Sequence, residues 1–421
     1  MSAIVAVGKY NLPEHPLVYG TLYKERFDMS IKVGVCGTGA FAQCFIPLIK
    51  AHPAVSSVTL CDLNEQKLRE NADRYEITST CPSLDELCQS DVDAIAIFTQ
   101  HTLHGPQAAQ ALRAGKHVYS AVPSAITIEE MTEIVRAVEE TGNIYMIGET
   151  SYYYPSALYC RDRYRKGEFG HVVYAEAEYY HDFDHGMYEV NKWRFGDDWK
   201  KYAGAPPMHY PTHSTSMVVS VTGAYATHVC GMGFVDREDD GVFREEANVW
   251  GNVFSNETAL CKMSDGSTAR INEFRRIACG GERINMYGTL GSYEEQTGSR
   301  AWVTKFDPFV DLTELLACRA IPAHEITGDM AKVTDANTHT GVSPIHPVHL
   351  LPKEFLGIPN GHNGSHQFLM HEFITSCENR TLPQNNVWQA ARYLLPGLVA
   401  HESAKLGGVL MEVPDFGDAP G

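Results

Sequence analysis

From Ile31 onward the chain alternates two kinds of hydrophobic pattern. Ile31, Val33 and Val35 recur at every second position, the period of a strand, and Gly37-Thr38-Gly39-Ala40-Phe41-Ala42 then leads into helical spacing. Short apolar runs at 55–61, 93–98, 117–120 and 144–147 follow, separated by helical patterns that include 104–114 and 128–141. Strands alternating with helices of this length predict a parallel, doubly wound sheet. After Pro155 the texture changes. Strands are expected at 172–182, 246–254, 258–263, 268–277 and 283–287 with few helices between them, and Ser264-Asp265-Gly266-Ser267 is one of the turns, which predicts an antiparallel sheet. Met217, Val218, Val219 and Val221 run to Gly223 as a helix opened by Pro211, whose missing N–H is harmless in a first turn. A stretch rich in proline, histidine and glycine from 307 to 365 reads as a lid or subunit contact, and 367–406 returns to helix. The expected class is α/β: an arm at 1–29, an N-terminal Rossmann doubly wound parallel sheet at 30–150, and at 151–421 a C-terminal α+β domain with an open antiparallel sheet and closing helices.

Composition narrows the function classes. With 44% hydrophobic and 20% charged residues among 421, the chain can bury a substantial core. A net charge of −18 without a basic cluster argues against nucleic acid or an anionic membrane as partner, and an anionic substrate would need a local basic pocket. The 11 cysteines are scattered and never spaced Cys-x-x-Cys, so reduced, mostly buried thiols in a cytoplasmic protein are expected. Neither a signal-peptide pattern nor a bilayer-length apolar run is evident.

The glycine-rich stretch carries the first chemistry. Gly37 makes the turn, Gly39 lets the backbone approach a pyrophosphate, and the small Ala42 lets helix pack on strand; Thr38, Ala40 and Phe41 complete the loop. Asp62, at the end of the second strand, stands where a carboxylate meets the adenosine ribose. Leu63 follows rather than an arginine, which favours NAD over NADP. Ligands of such sheets lie beyond the carboxyl ends of the strands, which places Thr99, His101, His104, Ala121 and Glu149 on the rim of the same crevice.

A second concentration is His209-Tyr210-Pro211-Thr212-His213. At a helix N-terminus Tyr210 and His213 meet a positive end that disfavours an imidazolium and favours a developing oxyanion. His209 and His213 are four apart, as in zinc helices. Position 210 is not the expected glutamate, however, and a helix beginning at Pro211 leaves His209 outside it, so no metal is expected. Alternation along a strand puts Tyr179 and His181 on one face and Tyr180 on the other. Trp193 and Arg194 fit a sugar-stacking ring and an anion clamp, or equally a core aromatic and a surface ion pair. His362, between glycines, fits a substrate contact or a solvated loop side chain.

From Ile31 to the C-terminus the chain resembles the Gfo/Idh/MocA oxidoreductases, on the Gly-x-Gly-x-x-Ala domain, on Ala114-Gly115-Lys116-His117-Val118 before a proline, and on the antiparallel sheet that follows. It departs from them at Ala121-Val122-Pro123, where the family usually has Glu-Lys-Pro; an aliphatic Val122 cannot exchange protons. Tyr179-Tyr180-His181-Asp182, Trp193-Arg194, Tyr210-Pro211-Thr212-His213 and Gly361-His362-Asn363-Gly364 look like motifs of the NAD-dependent α-N-acetylgalactosaminidases and similar redox glycosidases, with His209 where sugar dehydrogenases carry an aspartate. The resemblance implies NAD as cofactor, a glycoside or sugar as substrate, and a homo-oligomer, dimer or tetramer. It also implies catalysis by Tyr179, His181, Tyr210 and His213, with Trp193, Arg194, His209 and His362 on the sugar. The implied reaction oxidises carbon 3 of the sugar, eliminates the aglycone, adds water and reduces carbon 3 again. A sugar or cyclitol dehydrogenase is the alternative, and a silent NAD-binding sensor is a third reading, suggested by the missing lysine.

Overall fold

The structure is a computed structural model that describes residues 30–306, 309–318 and 338–419. The arm expected at 1–29 lies outside the described residues, as do 307–308 and 319–337 of the lid stretch.

Six strands, β1 (Ile31–Cys36), β2 (Val55–Cys61), β3 (Ser79–Cys81), β4 (Ala94–Ile97), β5 (His117–Ser120) and β6 (Tyr145–Ile147), form an all-parallel sheet in the order β3-β2-β1-β4-β5-β6. Its crossovers are α1 (Ile46–Ala51), α2 (Glu65–Tyr75), α3 (Leu84–Gln89), α4 (His104–Arg113) and α5 (Ile128–Thr141). This is the doubly wound arrangement that the alternation predicts, with its reversal between β1 and β4, the place where such sheets bind ligands. The helix ends are set locally: the Thr127 hydroxyl accepts the Glu130 N–H at the start of α5, and Gly142 closes it at φ 64°.

The chain then runs through α6 (Pro155–Arg165), β7 (Val172–Tyr180), α7 (Tyr188–Phe195), α8 (Trp199–Ala203) and α9 (Thr212–Thr222). Next come β8 (Ala226–Val235), β9 (Phe254–Met263), β10 (Thr268–Phe274), β11 (Gly281–Gly288), β12 (Gly291–Gln296), β13 (Ser299–Thr304) and β14 (Val310–Asp311). The helices α10 (Thr313–Leu316), α11 (His366–Asn379) and α12 (Val387–Lys405) and the short β15 (Met411–Glu412) complete it. The second sheet has nine strands in the order β14-β13-β12-β11-β7-β10-β9-β8-β15. It is antiparallel as expected except at its centre, where β7 and β10 run parallel. That pairing sets Tyr179 between Glu273 of β10 and Glu282 of β11. Helix α9 packs across β7, β10 and β11, and α12 covers β8.

Two expectations are corrected, at 246–251 and at the start of α9. Residues 246–251 are loop rather than strand, because the Asn248 side chain donates to the carbonyls of Val242, Arg244 and Asn252 and accepts from the Trp250 and Asn252 N–H groups, so the local backbone is satisfied without a ladder. Helix α9 begins at Thr212, with Pro211 as its cap at φ −86°. The described part of the lid stretch, 338–365, is packed: Phe355 and Leu351 are buried with Phe368 against the parallel-sheet core, and His346 lies 3.0 Å from the carbonyl of Tyr153.

Gly397 of α12 couples this scaffold to the site. A Cβ there would meet the Met208 carbonyl oxygen at 2.3 Å and Pro211 Cγ at 2.4 Å, so only glycine lets the His209–His213 segment lie on the helix. Gly397→Ala is expected to lower the unfolding free energy by about 1–3 kcal/mol through overpacking, read from the midpoint of urea denaturation at unchanged m-value.

Candidate active site

The carboxyl ends of β1, β4 and β5 and the start of α9 enclose a cavity of about 320 Å³. Its two walls come from different sheets. On the parallel-sheet side stand Phe41, Thr99, His101, His104, Ala121 and Val122. On the other stand Tyr179 and His181 at the end of β7, His209, Tyr210 and His213 around the start of α9, Arg194 from α7 and Arg275 just beyond β10, while His362 closes the cavity from the loop before α11.

His213 is the electrostatic centre. Its side chain is 5% exposed, that of Glu149 is 0% exposed, and Nδ1 lies 2.8 Å from Glu149 Oε1, which also accepts the Ser151 N–H. Burial alone would push the imidazole down, but Glu149 first and Glu282 second outweigh it and raise His213 to about 9; Glu149 is held below its usual range despite its own burial. The expectation that the helix end keeps His213 neutral is therefore overturned, because a buried carboxylate at contact distance outweighs a terminal half-charge. Glu149, expected on the cofactor rim, is the partner of His213 and does not line the cavity.

The phenols are neutral in this environment. Burial raises Tyr179 well above its ordinary value, with Arg275 as the main opposing charge, its guanidinium 5.0 Å from the ring centre. Burial likewise raises Tyr210, opposed by Arg194. The Tyr179 hydroxyl lies 2.5 Å from His181 Nδ1, so the two do share a face as the alternation predicts. The Tyr179, Tyr210 and His213 rings pack within 5.0–6.2 Å of one another.

His209 lines the cavity with Nδ1 buried and unpartnered, its ring 5.1 Å from His401, which pairs with buried Glu257 at 2.8 Å. Burial lowers His209 to about 3, so it is a neutral imidazole. His362 is in the cavity wall rather than solvated: its φ of 45° turns it inward, and Nδ1 lies 2.9 Å from His366 Nε2. Trp193 does not reach the cavity. Its ring lies beside Gly39 and under Lys67 Nζ at 4.8 Å, over the glycine-rich loop. His104 is pinned between the carbonyls of Pro123 at 2.8 Å and Thr99 at 3.2 Å, and the Thr99 hydroxyl donates to Gln107.

Two acidic residues escaped the sequence reading. Glu273, fully buried, accepts from Ser214 Oγ and Arg275, and Glu282 accepts from Ser151 Oγ at 3.3 Å. Their signal was present: each shares the inward face of its strand with apolar neighbours, Ala269 and Ile271 in β10, Ile284 and Met286 in β11. A carboxylate on such a face needs a partner.

The glycine-rich loop fits a dinucleotide. Gly37 turns at φ 87°, where a Cβ would strike the Phe98 carbonyl carbon at 2.9 Å, and nothing lies closer than 3.8 Å to a Cβ built on Gly39, which leaves its backbone open to approach. Asp62 Oδ2 accepts from the Thr38 N–H at 2.8 Å and from Thr38 Oγ1 at 3.0 Å, and Oδ1 accepts from Asn64, so the carboxylate is clamped at the loop with lone pairs left for ribose hydroxyls.

Comparison with known proteins agrees with this geometry. Residues 31–149 match the oxidoreductase family with NAD-binding Rossmann fold, GFO_IDH_MocA. Over these residues the chain is similar to the Gfo/Idh/MocA oxidoreductases. Over its length the chain is 24% identical to a glycosyl hydrolase family 109 protein of Streptomyces niveus, covering 92% of this chain and 77% of that one. It is 23% identical to glycosyl hydrolase family 109 protein 1 of Bacteroides thetaiotaomicron, covering 92% and 85%. Its fold matches levoglucosan dehydrogenase in complex with NADH and levoglucosan, at a TM-score of 0.70 and 15% identity over 92% of this chain and 100% of that one. NAD is the cofactor of this fold. Among the described residues no helix is long and apolar enough to cross a membrane, and no group of three or more His, Cys, Asp or Glu side chains is placed to hold a metal ion.

Two outcomes are expected of this site. His213 is raised on folding, so its contribution to stability is fully present below about pH 6.5 and is lost as pH rises through about 9. Unfolding free energy is expected to fall by roughly 3 kcal/mol across that window, and Glu149→Gln to flatten the decline, with the His213 titration followed by NMR. Asp62→Ala is expected to weaken NAD binding by on the order of tenfold or more, through loss of charge-assisted acceptors, measured by titration calorimetry.

Proposed function

We propose that this protein is an NAD-dependent glycoside hydrolase that works by transient oxidation at carbon 3 of the sugar, elimination of the aglycone, addition of water and re-reduction. The observation that carries this reading is the convergence of Tyr179, His181, Tyr210 and His213 on one cavity beside a dinucleotide loop; Val122 departs from the redox glycosidases as it does from the dehydrogenases and does not choose between them. The family 109 relatives give it further support.

When bound, NAD supplies a reversible hydride acceptor for the sugar carbon. The protein's residues manage the protons. His213 takes the proton of the carbon-3 hydroxyl, and Glu149 behind it stabilises the imidazolium so formed, which then donates a hydrogen bond to the ketone oxygen. The ketone acidifies the carbon-2 proton, and Tyr179 removes and returns it, its own phenolic proton passing to His181. Support for Tyr179 over Tyr210 is the 2.5 Å contact to His181 and the adjacent Arg275 guanidinium, which favours a phenolate. Tyr210 and His209 then orient the sugar.

His213 at about 9 is mostly protonated at neutral pH, so its base form is the minority and kcat/KM is expected to climb with pH towards about 9. The test incubates the protein with a glycoside library and NAD⁺, following aglycone and NADH together. Aglycone release without NADH accumulation, with deuterium entering carbon 2 from solvent, is the expected result. His213→Ala and Tyr179→Phe are each expected to reduce turnover by about 100-fold or more while NAD binding persists. NADH formed in proportion to substrate consumed would instead establish a dehydrogenase.

A further inference from the structure

The chain carries 52 acidic residues and a net charge of −18, yet among the described residues no Asp or Glu lines the cavity, while two arginines, Arg194 and Arg275, do. The nearby carboxylates Glu149, Glu273 and Glu282 all stand behind the cavity wall. The surface offered to a ligand is thus cationic against the charge of the whole molecule, which concentrates anions there.

Arg275 is built into place. It is 6% exposed, its Nη2 donates to Glu273 at 3.2 Å, its Nη1 donates to the Phe274 carbonyl at 3.2 Å and the Tyr179 carbonyl at 3.5 Å, and its guanidinium stands against the Tyr179 ring. Glu273 offsets it only in part: burial pushes that carboxyl upward against the pull of Arg275, and its oxygens are shared with Ser214. A buried guanidinium whose charge is only partly offset is costly unless a ligand brings the opposite charge. Arg194 has no carboxylate partner among the described residues.

The cofactor's pyrophosphate does not account for both. The dinucleotide loop lies at the end of β1 in the parallel sheet, whereas Arg275 follows β10 of the other sheet beside the phenols. Arg194 lines the same cavity, with its charge acting on His101, His104 and Tyr210.

We propose that the sugar taken at this site bears an anionic group, a carboxylate or a sulfonate, anchored by the Arg275 guanidinium with Arg194 as a second charge in the same cavity. The planar fork of Arg275 suits two oxygens of either group. This rests on the reading of the site as carbohydrate-processing and adds the substrate class to it.

The test uses the full-length, NAD-loaded protein with matched 4-nitrophenyl glycosides, both anomers, in the gluco and galacto series, each with carbon 6 as hydroxymethyl, carboxylate or methylsulfonate. An anionic member is expected to exceed its neutral counterpart in kcat/KM by about 100-fold, and the carboxylate and sulfonate arms identify the anion. Arg275→Met is expected to erase that preference by raising KM for the anionic members alone, while kcat falls for anionic and neutral glycosides alike because Tyr179 loses its neighbouring charge, with NAD affinity unchanged; Arg194→Met should reduce the preference in part. Equal or better cleavage of the neutral glycosides overturns the proposal, as does an unchanged preference in a folded Arg275→Met protein. If no glycoside is cleaved, thermal shifts of the NAD-loaded protein with free glucuronate, 6-deoxy-6-sulfoglucose and glucose decide. Stabilisation by an anionic sugar alone upholds the anion site while removing the glycosidase reading, and no preference overturns the anion site.

Discussion

Glu149 leaves the parallel sheet two residues after β6 and meets His213, in the first turn of α9, at 2.8 Å and almost out of contact with solvent. That one contact joins the two halves of the molecule at the point where they share a cavity. Neither partner is tolerable alone in such a place, since an unpaired buried charge is strongly destabilising. The pair therefore fixes α9 against the sheet end, and with it the positions of Tyr210 and His209 just upstream. Gly397 and Pro211 complete the seating from behind.

The second sheet repeats the principle with Tyr179. Because β7 runs parallel to β10 and antiparallel to β11, its Tyr179 has a glutamate beside it on each flank. Ser214 and Arg275 hold Glu273, and Ser151 holds Glu282. Acidic groups thus sit in back of histidine and phenol, and the face turned to the cavity is left to imidazoles, phenols and guanidinium. The acids tune the groups that line the cavity without lining it themselves.

Much of this was legible in the chain. A two-residue period followed by Gly-x-Gly-x-x-Ala admits few alternatives, and Asp62 is clamped at the loop as its spacing suggests. Tyr179 and His181 share a face because a strand permits nothing else. What escaped depended on partners distant in sequence. His213 takes its charge from Glu149, 64 residues away, which no local helix-end argument contains. Residues 246–254 alternate well enough to mimic a strand, but Asn248 satisfies the loop backbone by itself. β8, β12 and β13 were unmarked because strands of a sheet half-covered by helices need only intermittent apolar positions, as in the mixed pattern of β8. His362 looked like one loop histidine among many until three successive left-handed residues, His362, Asn363 and Gly364, turned it into the cavity.

Val122 puts a last constraint on how these parts work together. On the parallel-sheet side of the cavity the wall at this position is aliphatic and buried, and His104 beside it is engaged by two carbonyls. His101, also on that side, is held neutral, its burial lowering it to about 3. Little there can accept a proton near neutral pH. On the opposite wall, among the described residues, Tyr179 packs against both His181 and His213, and Glu149, Glu273 and Glu282 stand behind them. The two walls thus differ in chemistry: the parallel sheet supplies the glycine-rich loop and a largely aliphatic or neutral lining, the mixed sheet supplies imidazoles, phenols and a guanidinium, and the Glu149–His213 pair links the two.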